Sequence, residues 1–112
     1  MSETIFSKII RKEIPADIVY ETDEVLAFKD INPQAPVHIL IIPKTFIRSP
    51  YEVDDANCSI AGKLIAVASH IAKEMKLESY RLVMNCGEEA GQSVFHLHLH
   101  LLAGRIMNWP PG

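Results

Sequence analysis

Three histidines alternate with leucines near the end of the chain, in the run His96-Leu97-His98-Leu99-His100-Leu101-Leu102. Alternation is the period of a β-strand, so we expect the three imidazoles on one face and the leucines on the other. An imidazole titrates near neutral pH, and its neutral form is both a nucleophile and a metal ligand. The pattern therefore indicates proton and phosphate chemistry, or a metal site.

A metal is the first alternative for this row of rings. His-x-His is a genuine zinc spacing, because two rings on one strand face can reach the same ion. Alternate residues advance roughly 6.6 Å along a strand, so His96 and His100 are separated by roughly 13 Å. Convergence of all three rings on one tetrahedral ion would need a bent strand, and no cysteine completes the set at a typical spacing. Catalysis is therefore favoured over metal binding.

Covalent catalysis at phosphorus suits the middle histidine. A neutral imidazole that attacks phosphorus forms a phosphohistidine, whose new bond is P–N. A phosphoramidate substrate would exchange one P–N bond for another of similar energy, and its leaving amine would need a proton. His98 has a titratable neighbour on each side, so we predict that it is the nucleophile. An imidazole at its reference pKa of about 6.5 predicts that activity falls below roughly pH 6.

Other polar residues are expected beside this row. His38 lies on a predicted strand that brings it to the row from the side if the two strands are near each other in the sheet. The loop before the histidines supplies Asn85, Gln92 and Ser93 together with two glycines. Such a loop can turn backbone N–H groups and a hydroxyl toward an anion. The combination predicts a phosphate site, with a loop of neutral donors at one end and imidazoles beneath.

The elements that position these residues are predicted from periodicity and from breaker residues. Apolar residues at spacings of three and four predict one long helix over residues 59–76, and a short N-terminal helix is predicted over 5–12. Five strands are predicted over residues 18–20, 25–29, 37–42, 80–86 and 94–102. Strands joined by short turns, with one long helix, favour an α+β fold with a mainly antiparallel sheet.

The composition suits one domain over residues 1–112 and argues against some partners. A net charge of −3 argues against nucleic acid as the main ligand. The aliphatic run at 39–42 is too short to cross a bilayer, so no membrane partner is expected. Cys58 and Cys86 lie far apart without a C-x-x-C pair, which predicts two buried or half-buried free thiols in a reducing compartment. We expect a cytoplasmic protein, and a nuclear pool is compatible with the same observations.

Several separated motifs are similar to those of one family. The run at 96–102 resembles the His-φ-His-φ-His-φ-φ signature of the histidine triad (HIT) nucleotide hydrolases and transferases. The ending Trp109-Pro110-Pro111-Gly112, with Gly104-Arg105-Ile106-Met107 before it, is especially specific to the Hint branch, the histidine triad nucleotide-binding proteins. Further segments resemble that branch at 5–10, 14–16, 28–31, 33–38, 42–44 and 91–94. The resemblance covers nearly the whole chain and implies a HIT-like fold.

The resemblance implies an activity and an assembly. It implies a purine nucleoside phosphoramidase that acts on adenosine 5′-monophosphoramidate and on aminoacyl or lysyl adenylates. It also implies a homodimer whose two sheets join into one, and no required metal or cofactor. By matching position, His98 would take the nucleoside monophosphate. His100 and His38 would belong to its hydrogen-bonding and proton-relay surroundings, and His96 would orient the central ring through its backbone carbonyl.

The resemblance also implies which residues contact the substrate. Asn85, Gln92 and Ser93 would contact the phosphate or the leaving group. Asp30 would receive the ribose hydroxyls. Trp109 would reach toward the partner subunit's site. An apolar slot for the base would be formed by Phe6, Ile9, Phe28, Ile31 and Leu40, each of which also fits the core stripe of its own element.

Two other functions are alternatives to the phosphoramidase. A dinucleoside polyphosphate hydrolase of the fragile histidine triad branch shares the triad but lacks the Trp-Pro-Pro-Gly ending. A scaffold protein would instead use the nucleotide pocket or the dimer surface to engage signalling partners. The chain departs from the family pattern in three places: Asn108 stands where many relatives have histidine, Ala103 replaces a frequent glycine, and Cys86 with the Glu88-Glu89 pair replaces a more variable acidic and small-residue loop. The first bears on substrate selectivity, and none touches the nucleophile.

Overall fold

The structure of the chain, a computed structural model, describes residues 3–112. The first helix, α1 (Ile5–Ile10), begins after a reciprocal cap, in which the Thr4 hydroxyl accepts a hydrogen bond from the Ser7 amide and the Ser7 hydroxyl accepts one from the Thr4 amide. This cap satisfies N–H groups that a helix start leaves without partners. The other elements are β1 (Ile18–Glu21), β2 (Val25–Lys29), β3 (Val37–Pro43), α2 (Cys58–Glu74), β4 (Arg81–Val83) and β5 (Leu99–Ala103).

The five strands form one antiparallel sheet in the order β1-β2-β3-β5-β4. The last strand of the chain therefore lies between β3 and β4. Its register places Leu102 opposite His38 and His100 opposite Leu40. The predicted α+β class, with a five-stranded antiparallel sheet, one long helix and one short helix, is confirmed. The pairing of β3 with β5 also brings His38 beside the histidine row.

The sheet separates two buried apolar clusters. On one face α2 packs over Leu97, Leu99 and Leu101, which are buried together with apolar residues of β2, β3 and α2. The opposite face is covered by α1, and its cluster consists of Phe6, Ile9, Leu26, Phe28, Leu40 and Ile42. The predicted leucine face is therefore the face that packs on the long helix, and the histidines are left for the other side.

The histidine segment is less regular than a strand over 94–102. The ladder with β3 begins only at Leu99. Before that point the backbone N–H of Leu97 donates to the carbonyl of Ile47, at 2.6 Å, instead of to β3. The alternation of faces continues without the ladder, because His96 packs edge-on against the ring of Phe6 in α1 while Leu97 lies in the α2 cluster.

Smaller differences from the predicted elements concern the helix ends, β4 and the thiols. The first helix ends two residues earlier than predicted, and Lys12 adopts a left-handed φ of 64° just after it. The strand predicted over 80–86 is confined to β4. Cys58 and Cys86 are free, as predicted, but both are exposed, so the expectation of burial was wrong. None of the helices in residues 3–112 has the length and apolar character needed to cross a bilayer.

Candidate active site

A cavity of about 300 Å³ opens on the α1 face of the sheet, between α1 and strands β2 and β3. The predicted base slot surrounds it, since the lining includes Phe6, Ile9, Phe28, Ile31 and Leu40. All but one of these residues also belong to the buried cluster on this face, so they are core residues that turn one side to the cavity. Ile31 differs, because 94% of its surface is exposed.

Four polar residues of the predicted site line the same cavity. They are Asp30, Ser93, His98 and His100. The ring centroids of His98 and His100 are 5.0 Å apart. The cavity therefore offers an apolar wall and a group of imidazole, hydroxyl and carboxylate functions in one space. Such a space can hold a ligand that has an apolar body and a polar, reactive end.

His98 is oriented by a backbone group. Its Nδ1 lies 2.7 Å from the backbone oxygen of His96. A carbonyl oxygen only accepts, so Nδ1 carries the hydrogen and donates it, which leaves an unprotonated lone pair on Nε2. The ring of Phe6 packs edge-on against the His98 ring, with centroids 5.1 Å apart, and limits its rotation. The arrangement leaves a fixed ring with one unprotonated nitrogen, which is the form of an imidazole that can act as a nucleophile.

A second backbone group, the amide of Gln34, determines which ring nitrogens of His38 and His100 carry hydrogen. The amide of Gln34 donates to Nδ1 of His38 at 3.0 Å, so the His38 hydrogen lies on Nε2. That Nε2 is 2.9 Å from Nδ1 of His100 and 3.4 Å from a carboxylate oxygen of Asp30. Since Nδ1 of His100 accepts, Nε2 of His100 carries a hydrogen, and this buried atom has no partner within residues 3–112. A donor without an acceptor therefore lies in the ring next to that of His98.

Burial lowers the pKa of all four site histidines below the ordinary value of 6.5. The pKa of His100 falls to about 4, because of its burial and because charges on His98 and His38 would oppose its own. For His98, burial outweighs the hydrogen bond to the His96 carbonyl and the nearby carboxylate of Asp30, which favour the charged form and raise its pKa. The rings are therefore neutral at pH 7.

His96 lies outside the cavity. Its side chain is 1% exposed, and its Nε2 donates to the carbonyl of Pro43 at 2.8 Å. The rings of Phe6 and Phe46 pack edge-on against it. The side chain thus anchors the histidine segment to the end of β3, while the backbone carbonyl of the same residue holds His98, the contact that the resemblance implies.

Of the three loop residues expected at the phosphate, the structure places one at the cavity and two away from it. Ser93 lines the cavity, whereas Asn85 and Gln92 do not. The Gln92 side chain is enclosed, with its oxygen accepting from the amide of Gly87 and its nitrogen donating to the carbonyls of Arg48 and Val94. These hydrogen bonds connect the loop that contains Gly87 and Gln92 to the segment that contains Arg48. A phosphate contact by Asn85 or Gln92 stays a prediction.

The C-terminal tail also lies away from the cavity. Trp109 is 82% exposed and does not line it. The tail is held to the edge strand, because the guanidinium of Arg81 donates to the carbonyl of Asn108 at 2.9 Å. The predicted contact of Trp109 with a partner subunit concerns a second chain and stays a prediction.

Some groups at the site have no side-chain signal in the sequence. The amide of Gln34 and the carbonyls of His96 and Pro43 set the positions of ring hydrogens, but any residue type supplies a carbonyl, and any except proline supplies an amide. The cavity lining also includes residues that were not predicted from the sequence: Ile5, Ile14, Pro15, Ala16, Lys29 and Val94. The apolar stripe of the first helix and the segment after it are the signals that could have indicated the first four of these residues.

Similarity to known proteins agrees with this geometry. A family model for the HIT domain matches residues 11–107. A 14 kDa zinc-binding protein of Zea mays is 54% identical over 114 residues, covering 99% of this chain and 89% of the relative. Adenylylsulfatase HINT1 of Arabidopsis thaliana is 50% identical over 114 residues, covering 99% of this chain and 78% of the relative. A HIT family hydrolase of Legionella pneumophila is 46% identical with a TM-score of 0.95, covering 98% of this chain and 100% of that one. The chain therefore belongs to the HIT domain family of hydrolases, on its Hint-like branch.

Proposed function

We propose that the chain hydrolyses the P–N bond of purine nucleoside 5′-monophosphoramidates through a covalent nucleotidyl-His98 intermediate. The observation that carries the proposal is the hydrogen bond from Nδ1 of His98 to the His96 carbonyl, which leaves the other ring nitrogen unprotonated in a ring that lines the cavity. Burial supports it by keeping the pKa of this imidazole below its usual range. Family membership supports hydrolysis as the class of reaction.

The cavity suits a nucleoside in shape and chemistry. A purine is a flat, largely apolar ring system, and the rings of Phe6 and Phe28 in the wall can contact it. Asp30 lies at the same cavity, and one of its oxygens accepts from the amide of Asn32 at 2.8 Å. A carboxylate has further lone pairs, so it can also accept from the two ribose hydroxyls. The phosphate would then lie among His98, His100 and Ser93.

The first chemical step forms one P–N bond and breaks another. The lone pair on Nε2 of His98 attacks phosphorus, and the P–N bond to the amine breaks with its electron pair going to the amine nitrogen. That nitrogen takes a proton as it leaves, and the hydroxyl of Ser93, which is exposed to solvent, can pass one on. The products of this step are a free amine and a nucleotidyl-histidine.

A hydrogen-bond donor with a fixed orientation can stabilise the negative charge on the phosphoryl oxygens. The unpartnered N–H on Nε2 of His100 can donate to such an oxygen, because its orientation is already set by His38 and the amide of Gln34. A donor that needs no reorganisation stabilises the transition state more than it would in water. In the second step water attacks phosphorus and gives up a proton to solvent, the P–N bond to His98 breaks with its electron pair returning to Nε2, and the nucleoside monophosphate is released.

A metal is a weaker hypothesis for the same residues. Ligand atoms of Asp30, His38 and His100 lie within 4.8 Å of one another, and the Zea mays relative is named as zinc-binding. However, a metal on Nε2 of His38 would move the ring hydrogen to Nδ1, where the Gln34 amide already donates. Two nitrogen ligands of one zinc ion are also about 3.3 Å apart in a tetrahedral site, farther than the 2.9 Å between these nitrogens. Hydrogen bonding accounts better for the cluster.

The test of the proposed function is mass spectrometry of enzyme quenched during turnover of adenosine 5′-monophosphoramidate. We expect a nucleotidyl adduct on His98. Rapid turnover without an adduct on any histidine would contradict the mechanism. Turnover of a diadenosine polyphosphate in preference to the phosphoramidate would favour the dinucleoside polyphosphate hydrolase instead. Nucleotide binding without turnover of either compound would favour the scaffold function.

We further propose that the protein works as a homodimer in the cytoplasm. The tail that would reach the partner is held at β4, an edge strand of the sheet, through Arg81 and Asn108. Two exposed free cysteines suit a reducing compartment. Analytical ultracentrifugation tests the dimer, because a single species of 12.6 kDa would contradict it. Cell fractionation tests the location.

A further inference from the structure

A groove adjoins the cavity on the far side of Ser93. We call it the Arg48 groove. It shares Ile5, Ser93 and Val94 with the cavity and is lined in addition by Glu3, Thr4, Arg48 and Phe95. Ser93 supplies the only hydroxyl that lines the cavity within residues 3–112. A phosphorus atom within reach of both His98 and Ser93 would therefore have this groove next to it.

The Arg48 side chain contacts an aromatic ring, and the Arg48 backbone is held by a hydrogen bond. The guanidinium carbon of Arg48 lies 4.5 Å from the ring centroid of Phe95, in a cation–π contact. The carbonyl of Arg48 accepts a hydrogen bond from the enclosed side chain of Gln92 at 3.0 Å. Because Gln92 directly precedes Ser93, this bond couples the position of the arginine to the edge of the cavity. An ordered cation loses less side-chain freedom when it binds an anion.

The guanidinium has no anionic partner. In the part of the chain that the structure describes, Arg48 forms no ion pair. Glu3, the other charged residue of the groove, is already paired with Arg11. Glu52 accepts from the backbone amide of Arg48, at 3.3 Å, rather than from its guanidinium. The groove therefore presents one positive charge whose hydrogen-bond donors are available to a ligand.

We propose that the Arg48 groove is the leaving-group subsite and that Arg48 selects amines that carry a carboxylate. This inference rests on the proposed function, since a P–N substrate releases an amine. In the reaction the P–N bond breaks, and the amine nitrogen takes the electron pair and a proton. The carboxylate of the same molecule stays ionised and is bound by the planar guanidinium, whose paired donors match its two oxygens. Arg48 is thus a specificity residue that touches the departing part of the substrate.

The test compares two adenosine 5′-phosphoramidates, one made with glycine and one with glycinamide. They differ in one carboxylate, so the ratio of their kcat/KM values measures recognition of the charge. We expect the native protein to favour the glycine compound about tenfold, the effect of one charge-assisted hydrogen bond at a solvated site. Arg48→Met keeps an unbranched stem beside Phe95 but removes the charge, so we expect the kcat/KM of the glycine compound to fall about tenfold and the ratio to approach one. Arg48→Lys should retain part of the preference.

A matched control removes the same charge elsewhere. Lys73→Met, at an exposed position in the last turn of α2, should leave the ratio unchanged. Equal ratios in the native protein and Arg48→Met, with both compounds hydrolysed, would overturn the subsite while the proposed function stands. Failure of the native protein to hydrolyse either compound, or the simple phosphoramidate, would overturn the proposed function and the subsite together. Thermal unfolding of each variant establishes that it is folded.

Discussion

The two faces of the sheet are covered to different extents, and the cavity lined by histidines lies on the face that is covered less. The 17-residue helix α2 closes one face, where Leu97 and Leu101 are completely buried. On the other face the 6-residue helix α1 leaves a cavity of about 300 Å³. One segment supplies both faces, with leucines for the closed face and histidines for the open one. A single alternating run can therefore serve stability and reactivity without compromise between them.

The strongest test of this division is His98→Ala on the open face. We expect kcat for adenosine 5′-monophosphoramidate to fall by at least about 10⁴-fold, because the loss of a nucleophile removes the covalent pathway. Nucleotide binding should persist, because the apolar wall of the cavity remains, while the loss of a buried ring packed on Phe6 should lower the thermal unfolding temperature modestly. Steady-state kinetics and calorimetry measure both. Retained hydrolysis would refute the assignment of the nucleophile.

The corresponding experiment on the closed face is Leu97→Ala. Removal of a fully buried leucine leaves a cavity against α2, so we expect the free energy of unfolding to fall by about 3 kcal/mol. The variant that remains folded should still turn over substrate, because the histidines face the other way. Urea denaturation gives the stability. A loss of activity in fully folded Leu97→Ala, with stability unchanged, would remove the distinction between the faces.

Acid should lower the free energy of unfolding through the histidines. The folded state binds fewer protons than the unfolded state between the lowered histidine pKa values and 6.5, so stability is complete above pH 6.5 and falls below it. With allowance for solvent screening, His100 alone contributes a loss of about 2 kcal/mol between pH 6.5 and pH 4. Urea melts at several pH values should show this slope, with a smaller one in His100→Gln.

The acid limb of activity should shift in the same direction. Because the pKa of His98 lies below 6.5 in the folded protein, its lone pair survives to lower pH than a free imidazole would allow. The loss of activity predicted from the reference value, below roughly pH 6, therefore moves lower. A pH profile of kcat/KM measures it. An acid limb above pH 6.5 would contradict the environment described for this ring.

A smaller effect is expected from Gln34→Pro, which removes the amide that fixes the hydrogen of His38. The orientation of the His100 donor would then be free to change, so we expect kcat to fall about tenfold. Gln34→Ala keeps the amide and is the matched control. Equal activity in the two variants would show that the backbone bond does not matter, provided that both unfold at the native temperature.

The smallest effect is expected from a chelator. Since hydrogen bonds account for the cluster of Asp30, His38 and His100, EDTA should leave kcat unchanged. The control is the same assay after addition of zinc. A collapse with EDTA that zinc reverses would restore the metal hypothesis and would require a different tautomer for His38.

Side-chain patterns predicted the architecture better than the details of the site. The alternation at 96–102 and the apolar stripe of the long helix predicted the two faces, because burial follows the period of each element. The residues of the expected base slot do surround one cavity. The start of β5 was predicted too early, because side chains already alternate in the residues before the ladder begins. The inward direction of Gln92 was missed, since a polar residue in a glycine-rich loop gives no sign of which groups it binds.

The orienting groups behind the rings, the amide of Gln34 and the carbonyl of His96, belong to the main chain. Homologous sequences can consequently drift at position 34, to any residue but proline, without losing the proton arrangement. Transplanting the four histidines onto an unrelated scaffold would have the opposite outcome. The grafted rings would be free to choose their tautomers unless the new host presented peptide groups at matching angles, so a designer would have to copy the path of the backbone before its side chains.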